Sequence, residues 1–325
     1  MNHDRLEPWM LRAEWRHDDR PFVVVDLATW PDSVLLDPLP PIPVIAVGSP
    51  LHPLARQADI HVETDLALVG LKSAITSTPR AAWVIVDLLR ATEGMEPLRA
   101  LSCESLAFAA LQSGREHRKW LDARPAPNTA DEGRVLTERD GDVVSVTVDR
   151  PAARNAIDHA LRDALFDACS LVNLDADIHA VRIRATGRCF GVGADLSEFG
   201  TTDDPPSAHF IRSRTLPARA ILPRASIYEV HVRGACIGAS LEFAAFAGRV
   251  TASSDAWFQL PELAMGILPG AGGCVSVPRR IGRQRAAFMM LSGRRIDART
   301  ALDWGLIDAI VDNPTLDESG PDIAG

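Results

Sequence analysis

Cysteine is scarce and unpatterned in this chain: five residues, at 103, 169, 189, 236 and 274, an odd number with no CxxC spacing and no histidines at ligand distance in sequence. That arithmetic speaks against a disulfide framework and against a metal site, and it implies a reducing compartment. Long hydrophobic runs are also missing. No stretch approaches the ~18 apolar residues of a membrane-spanning helix, and the charged segment from Met1 to Arg20 has no apolar core of the signal-peptide kind. A cytoplasmic protein without a membrane partner is therefore expected. Positive charge is in deficit, 34 Lys and Arg against 43 Asp and Glu for a formal net charge of −9, which argues against a nucleic-acid partner while leaving room for a local patch that takes a small acidic ligand. Neither GxGxxG nor GxxxxGK[ST] occurs, and no internal repeat is visible.

What is present is ordinary globular composition, 46% apolar and 24% charged over 325 residues, enough for one large domain or two. Periodicity breaks between Asp122 and Arg134, where two prolines, a glycine and mixed charge predict a linker. This places a small N-terminal α/β domain at 1–125 and a second domain at 135–325. In the first, Phe22 to Leu27, Pro43 to Val47 and Trp83 to Asp87 read as short strands, with helices over about 65–78 and 97–123. In the second, strands at 143–148, 180–185, 227–232 and 249–252 alternate with helices near 156–172, 206–220 and 239–247, followed by helices at 278–291 and 297–304. Alternation of this kind predicts an α/β class with parallel strands and crossover helices.

Two glutamates stand out. Glu242, in Gly238-Ala-Ser-Leu-Glu242, and Glu262, in Phe258-Gln-Leu-Pro-Glu262, sit among apolar residues where a carboxylate is costly. Glu242 falls one turn into a helix that opens on small residues, so a ligand oxygen could approach the Ala239 amide closely. The glycine-rich Gly191-Val-Gly-Ala-Asp195 offers a second amide at Ala194. Two such amides would form an oxyanion hole. Taken singly, each segment is most simply a turn, and Glu262 after Pro261 a first-turn helix acid. Their joint occurrence in one order, with Pro269-Gly-Ala-Gly-Gly273 after them, is what suggests an active site.

Residues 140–312 resemble the crotonase superfamily, the enoyl-CoA hydratases and isomerases. The resemblance rests on Arg150-Pro-Ala-Ala-Arg-Asn-Ala156, Cys189-Phe-Gly-Val-Gly-Ala-Asp-Leu196, Gly234 to Glu242, Phe258 to Glu262, Gly266 to Gly273 and Ile296 to Ile307. It implies an α/β fold with a crotonase-like ββα superhelix core, to which the N-terminal α/β domain is added. It also implies an acyl-CoA substrate of fatty acid metabolism, with CoA carried as part of that substrate and no separate cofactor. The thioester carbonyl would lie between the amides of Ala194 and Ala239. Arg150, Arg154, Ala156, Gly193, Asp195 and Leu196 would hold the CoA moiety. The pair of acids fits a hydro-lyase, in which Glu242 activates water for attack at C3 and Glu262 protonates C2. Isomerisation, thioester hydrolysis and a non-catalytic acyl-CoA-binding or scaffolding role are the alternatives. A homo-oligomer, trimer or hexamer, is the family habit.

Departures from the family pattern are informative. Gly238-Ala239-Ser240 replaces the usual three glycines, which narrows the space before Glu242. In Ile227 to Arg233, period two puts Glu229, His231 and Arg233 on one face, expected as an ion-pair seam or subunit contact. The segment from Thr201 to Pro206 and the helix after it are expected beside the acyl chain. Family members typically continue as helix beyond the Gly305-Leu-Ile307 segment, whereas here a polar tail runs to Gly325. The predicted helix 97–123 either replaces that region, with Leu106, Phe108 and Leu111 against the core, or serves only the core of its own domain.

Overall fold

The computed structural model describes Arg5 and residues 19–124, 131–202 and 204–312. Residues 125–130 of the expected linker and the polar tail from 313 onward lie outside the described residues, as does most of the Met1 to Arg20 segment.

The N-terminal part opens with β1 (Val23–Asp26), β2 (Val44–Val47), α1 (Pro53–Gln57) and β3 (Ile60–Val62). These strands make a three-stranded parallel sheet in the order β1-β2-β3, in which Val23 pairs Val44 and Ile45 pairs Ile60. Four helices follow: α2 (Leu68–Ser77), α3 (Pro79–Ala91), α4 (Pro97–Gln112) and α5 (Arg115–Ala123). The run Trp83 to Asp87, expected as a strand, lies inside α3. Pro79 starts that helix, and Ala81, Ala82, Ile85, Val86 and Leu89 are buried at helical spacing. The single helix expected over 97–123 is two, because Ser113 closes α4 and Gly114, in extended conformation, caps α5.

The second part contains β4 (Arg134–Asp140), β5 (Val143–Asp149), α6 (His159–Leu174), β6 (Ala180–Ala185), α7 (Pro205–Thr215), α8 (Pro217–Ile221) and β7 (Tyr228–Val232). It continues with β8 (Ala235–Ile237), α9 (Ala239–Ala244), β9 (Arg249–Ala252), β10 (Trp257–Gln259), α10 (Gly273–Ile281), α11 (Arg283–Ser292), β11 (Ile296–Asp297), α12 (Ala298–Trp304) and β12 (Ala309–Ile310). A six-stranded sheet runs β12-β9-β7-β6-β5-β4, parallel except for the edge strand β4, which meets β5 antiparallel. A second sheet, β11-β10-β8, pairs β8 and β10 in parallel, with Ile237 opposite Gln259.

Breaks divide two expected helices. Leu216 and Pro217 separate α7 from α8, and Gly282 at φ 80° separates α10 from α11. Pro278, expected to open a helix, sits inside α10. On β7, Glu229 pairs with Arg249 at 3.2 Å and His231 Nδ1 lies 3.0 Å from Thr251 Oγ1. Arg233 donates to Gly187 O and belongs to a loop rather than to that seam.

One contiguous cluster of buried apolar side chains runs across both parts, from Phe22, Ile75 and Leu101 to Tyr228, Phe258 and Met290. A smaller cluster around Trp30, Leu36 and Leu54 is confined to the N-terminal sheet. Helix α4 turns Ala100, Leu101 and Leu111 into the common core, and a fully buried leucine stabilises by about 1.5–3 kcal/mol. Phe108 packs against Gly270, whereas Leu106, expected on the same face, is exposed. The i+2 offset from Glu104 carries Leu106 round to the solvent side.

Candidate active site

Parallel pairing of β8 with β10 brings the two glutamates together. Beyond the ladder, Gly238 N donates to Gln259 O at 2.9 Å, so the turn into α9 and the turn after Pro261 leave the sheet side by side. Gly238 adopts φ 49°, ψ −129°, and a Cβ there would stand 2.5 Å from Glu262 Oε1. A third loop joins them: Gly191 bridges Cys236, with Gly191 N donating to Ala235 O and Ile237 N to Gly191 O, both at 3.0 Å. Ser240, which departs from the glycine of the family pattern, is buried and accepts from Gly193 N at 3.2 Å. Its hydroxyl fastens the Phe190 to Ala194 loop to α9.

The two expected amides lie where these loops meet. Ala194 forms a bridge with Ile157 in which Ile157 N donates to Gly193 O and Asp195 N donates to Ile157 O, so the Ala194 N–H is directed away from that ladder. Ala239 is the first residue of α9 and carries one of the N–H groups a helix start leaves without an intrahelical acceptor. A Cβ on Gly193 would lie 3.5 Å from Ala239 N. Both alanines line a cavity of about 1740 Å³, together with Glu242 and Glu262.

Both acids are buried, in unlike surroundings. Glu242 Oε2 accepts from Ala271 N at 2.6 Å and Gly273 N at 2.8 Å, at the start of α10. Burial nevertheless pushes its carboxyl up to about 7. Glu262 Oε2 is buried with no hydrogen-bond partner among the described residues, and burial, then the charge of Glu242, holds this carboxyl well above the ordinary range. One group is thus readied to lose a proton near neutrality while its neighbour keeps one.

The residues expected around the CoA moiety divide. Arg154, Ala156, Gly193, Asp195 and Leu196 line the cavity. Arg150 does not. Its guanidinium is buried beneath the loop, 2.7 Å from Asp195 Oδ2 and 3.2 Å from Asp158 Oδ2, and it donates to Ala156 O at 3.0 Å. The buried Asp158 and the half-buried Asp195 claim it there, so it braces the loop and does not reach the ligand side. Asn155, at φ 56°, is the other brace: its side chain donates to Thr186 O and Cys189 O and accepts from Arg150 N. Thr201, Thr202, Ile211 and Leu216 reach the cavity wall.

Several contributors are not evident from the sequence motifs, and they come from the N-terminal helices. Thr78 Oγ1 donates to Leu263 O at 2.9 Å, and His117 Nδ1 meets Met265 O at 2.8 Å, so both hold the turn that begins at Glu262. Burial pushes His117 below its ordinary value. Its ring stacks on Trp120 at 5.5 Å, and Trp120, with Phe199 edge-on at 5.8 Å, forms part of the cavity wall. Glu104 of α4 is buried and accepts from Gly272 N at 2.7 Å and Cys274 N at 2.9 Å. Its signal, a glutamate on an otherwise apolar helix face, is the one that marks Glu242 and Glu262. Among the described residues no cluster of His, Cys, Asp and Glu suits a metal ion, and no helix is long and apolar enough to cross a membrane.

Comparison with known proteins gives one consistent result. The family model described as enoyl-CoA hydratase/isomerase matches residues 138–320. The 2,3-dehydroadipyl-CoA hydratase of Escherichia coli strain K12 is 33% identical over 176 residues, covering 54% of this chain and 68% of that protein. An enoyl-CoA isomerase/hydratase of Mycosarcoma maydis is 33% identical over 184 residues, covering 53% and 66%. Among solved structures, the enoyl-CoA hydratase from Bacillus anthracis superposes with a TM-score of 0.51 at 26% identity, over 55% of this chain and 70% of that one.

Proposed function

Since the chain belongs to the enoyl-CoA hydratase/isomerase family, we propose that it adds water across the double bond of a 2-enoyl-CoA thioester. The observation that carries this reading is the pairing of two buried carboxyls, Glu242 held by two backbone amides and Glu262 with an unpartnered Oε2 among the described residues, beside the loops that bear Ala194 and Ala239.

In this mechanism the thioester oxygen accepts from the N–H groups of Ala194 and Ala239, which stabilise the charge that develops as C3 is attacked. Ionised Glu242 removes a proton from a water molecule, and the water oxygen bonds to C3. The electron pair of the double bond moves toward the thioester, and protonated Glu262 delivers its proton to C2. Glu242 ends the cycle protonated and Glu262 ionised, and one proton passed between them, directly or through solvent, restores the starting state. Unequal anchoring suits these roles. Two amides hold the Glu242 oxygen that must carry charge, while Glu262 Oε2 has no hydrogen-bond donor among the described residues.

The N-terminal helices complete the site in this reading: α4 and α5 cover it, with Phe108, Gln112 and Trp120 on the cavity wall. The deciding experiment follows loss of the enoyl-thioester absorbance of crotonyl-CoA and longer 2-enoyl-CoAs. Glu242→Gln and Glu262→Gln should each lower kcat by about 10²–10⁴ with CoA-ester binding nearly unchanged, since each removes a proton-transfer group and no binding contact. Full activity in either variant would refute the two-acid mechanism. Binding without turnover at any chain length would refute the reaction itself.

A further inference from the structure

The four consecutive amides at the start of α10 are shared alternately between two carboxyls. Ala271 N and Gly273 N donate to Glu242, while Gly272 N and Cys274 N donate to Glu104. The first acid lies in the site; the second arrives from α4, 168 residues away in sequence from Gly272. A backbone segment whose successive N–H groups point to opposite sides cannot turn toward one acceptor without turning from the other. The setting of Glu242 therefore depends on the carboxyl across from it.

Resting on the hydration reading above, we propose that Glu104 is a positioning residue of this reaction: it fixes the 271–274 backbone that holds Glu242, and it is an electrostatic neighbour of that base. Glu104 touches no cavity wall and has no contact with the ligand space. The charged and titratable groups facing it are Glu242 from α9, Arg212 from α7, Arg219 from α8 and Cys274 from α10. Arg212 is tied in place by Ser105, the next residue on α4, which it reaches through Nε at 3.0 Å and Nη2 at 3.1 Å. His209 Nδ1 meets the same hydroxyl at 2.9 Å. Burial, then the charge of Glu242, raises the Glu104 carboxyl well above its ordinary value, so the two acids titrate as one unit with Glu262.

Glu104→Gln tests this. The amide keeps the shape but has one acceptor oxygen, so its NH₂ faces one of the two backbone N–H groups. The expected result with crotonyl-CoA is a kcat lower by about 10–100-fold with KM within about threefold, because a displacement near 1 Å at a reacting group has that effect. The ascending limb of the kcat against pH profile, which reports ionisation of the base Glu242, should also move to lower pH by about one unit, since the carboxyl that competes with Glu242 for ionisation has been removed. An infrared titration of the protonated-carboxyl band, which needs no turnover, should shift the same way. If the wild type does not turn over enoyl-CoA but the band still shifts, the hydration reading fails and the coupling stands. A folded variant with wild-type kcat and superimposable titration overturns the proposal. Glu104→Asp decides should the Gln variant not fold: it keeps the charge but reaches only one amide, so kcat should fall with the titration retained, and an unchanged kcat overturns the proposal.

Discussion

Gly238 is where a single methyl group should do the most local damage. Its φ of 49° and ψ of −129° match the first central position of a type II′ turn, a conformation that residues with a Cβ adopt at a cost of about 1–3 kcal/mol. The added methyl would also stand 2.5 Å from Glu262 Oε1 and 3.6 Å from Gly193 Cα. Carbon and oxygen in contact without a strong bond rest at about 3.3 Å or more. The Glu262 carboxyl must therefore withdraw by roughly 0.8 Å, away from the point where, in the proposed mechanism, it meets C2. Misplacement near 1 Å costs on the order of 10²-fold in rate, or about 2.7 kcal/mol of barrier. Gly238→Ala should accordingly lower kcat for crotonyl-CoA hydration by about 10–100-fold and reduce unfolding free energy by about 1–3 kcal/mol. Enoyl-thioester absorbance measures the first and urea denaturation the second. A folded variant with kcat within about twofold of wild type would show that Glu262 either moves freely or does not deliver the proton.

Stability should fall as pH rises through neutrality. The Glu242 carboxyl stands at about 7 in the folded protein against 4.5 when unfolded, so the folded form binds more protons across that window. The contribution is fully present below the lower value and is lost as pH passes the upper one, a change of about 3 kcal/mol, with Glu104 and Glu262 acting in the same direction. Urea midpoints taken across the window should decline, and less steeply in Glu242→Gln; a rising midpoint would contradict the burial argument. Arg150→Met should destabilise by about 3–5 kcal/mol, since Asp158 would keep a buried charge, and Asp195 a half-buried one, without their shared guanidinium. If thermal melting shows less than about 1 kcal/mol, the arginine is not the brace described above.

The sequence makes Glu242 and Glu262 legible because a carboxylate in an apolar context beside glycine turns is expensive and therefore conspicuous. Glu104 obeys the same rule but is separated from its loop partners by about half the chain, and its segment carries no glycine turn to draw notice. Arg150 differs in the opposite direction: the family resemblance places it with the residues that hold the CoA moiety, and only the fold reveals that Asp158 and Asp195 claim it first. The parallel order of the large sheet follows from the alternation of elements. The strand expected at Trp83 to Asp87 does not, since four apolar residues with two β-branched valines and an isoleucine fit a buried helix equally well. Gly114 and Gly282 break helices that look continuous by periodicity because helix ends depend on local backbone geometry, which an apolar stripe does not encode.

Three buried carboxyls within one cluster are a poor way to build stability. Each loses hydration, and the like charges of Glu242 raise the cost for both neighbours. Four amides at the start of α10 offset part of that cost for Glu242 and Glu104, but Glu262 Oε2 receives no such compensation. A core optimised only for packing would replace all three with leucine or methionine of similar volume and gain from the exchange. The N-terminal helices add their own investment at the same place, since Thr78, His117 and Glu104 each spend a buried polar contact on the loops that carry Glu262 and the amides of α10. Polar contacts converge where the apolar alternative would be more stable, which is the pattern expected when a site's geometry, rather than the fold's stability, is what the residues serve.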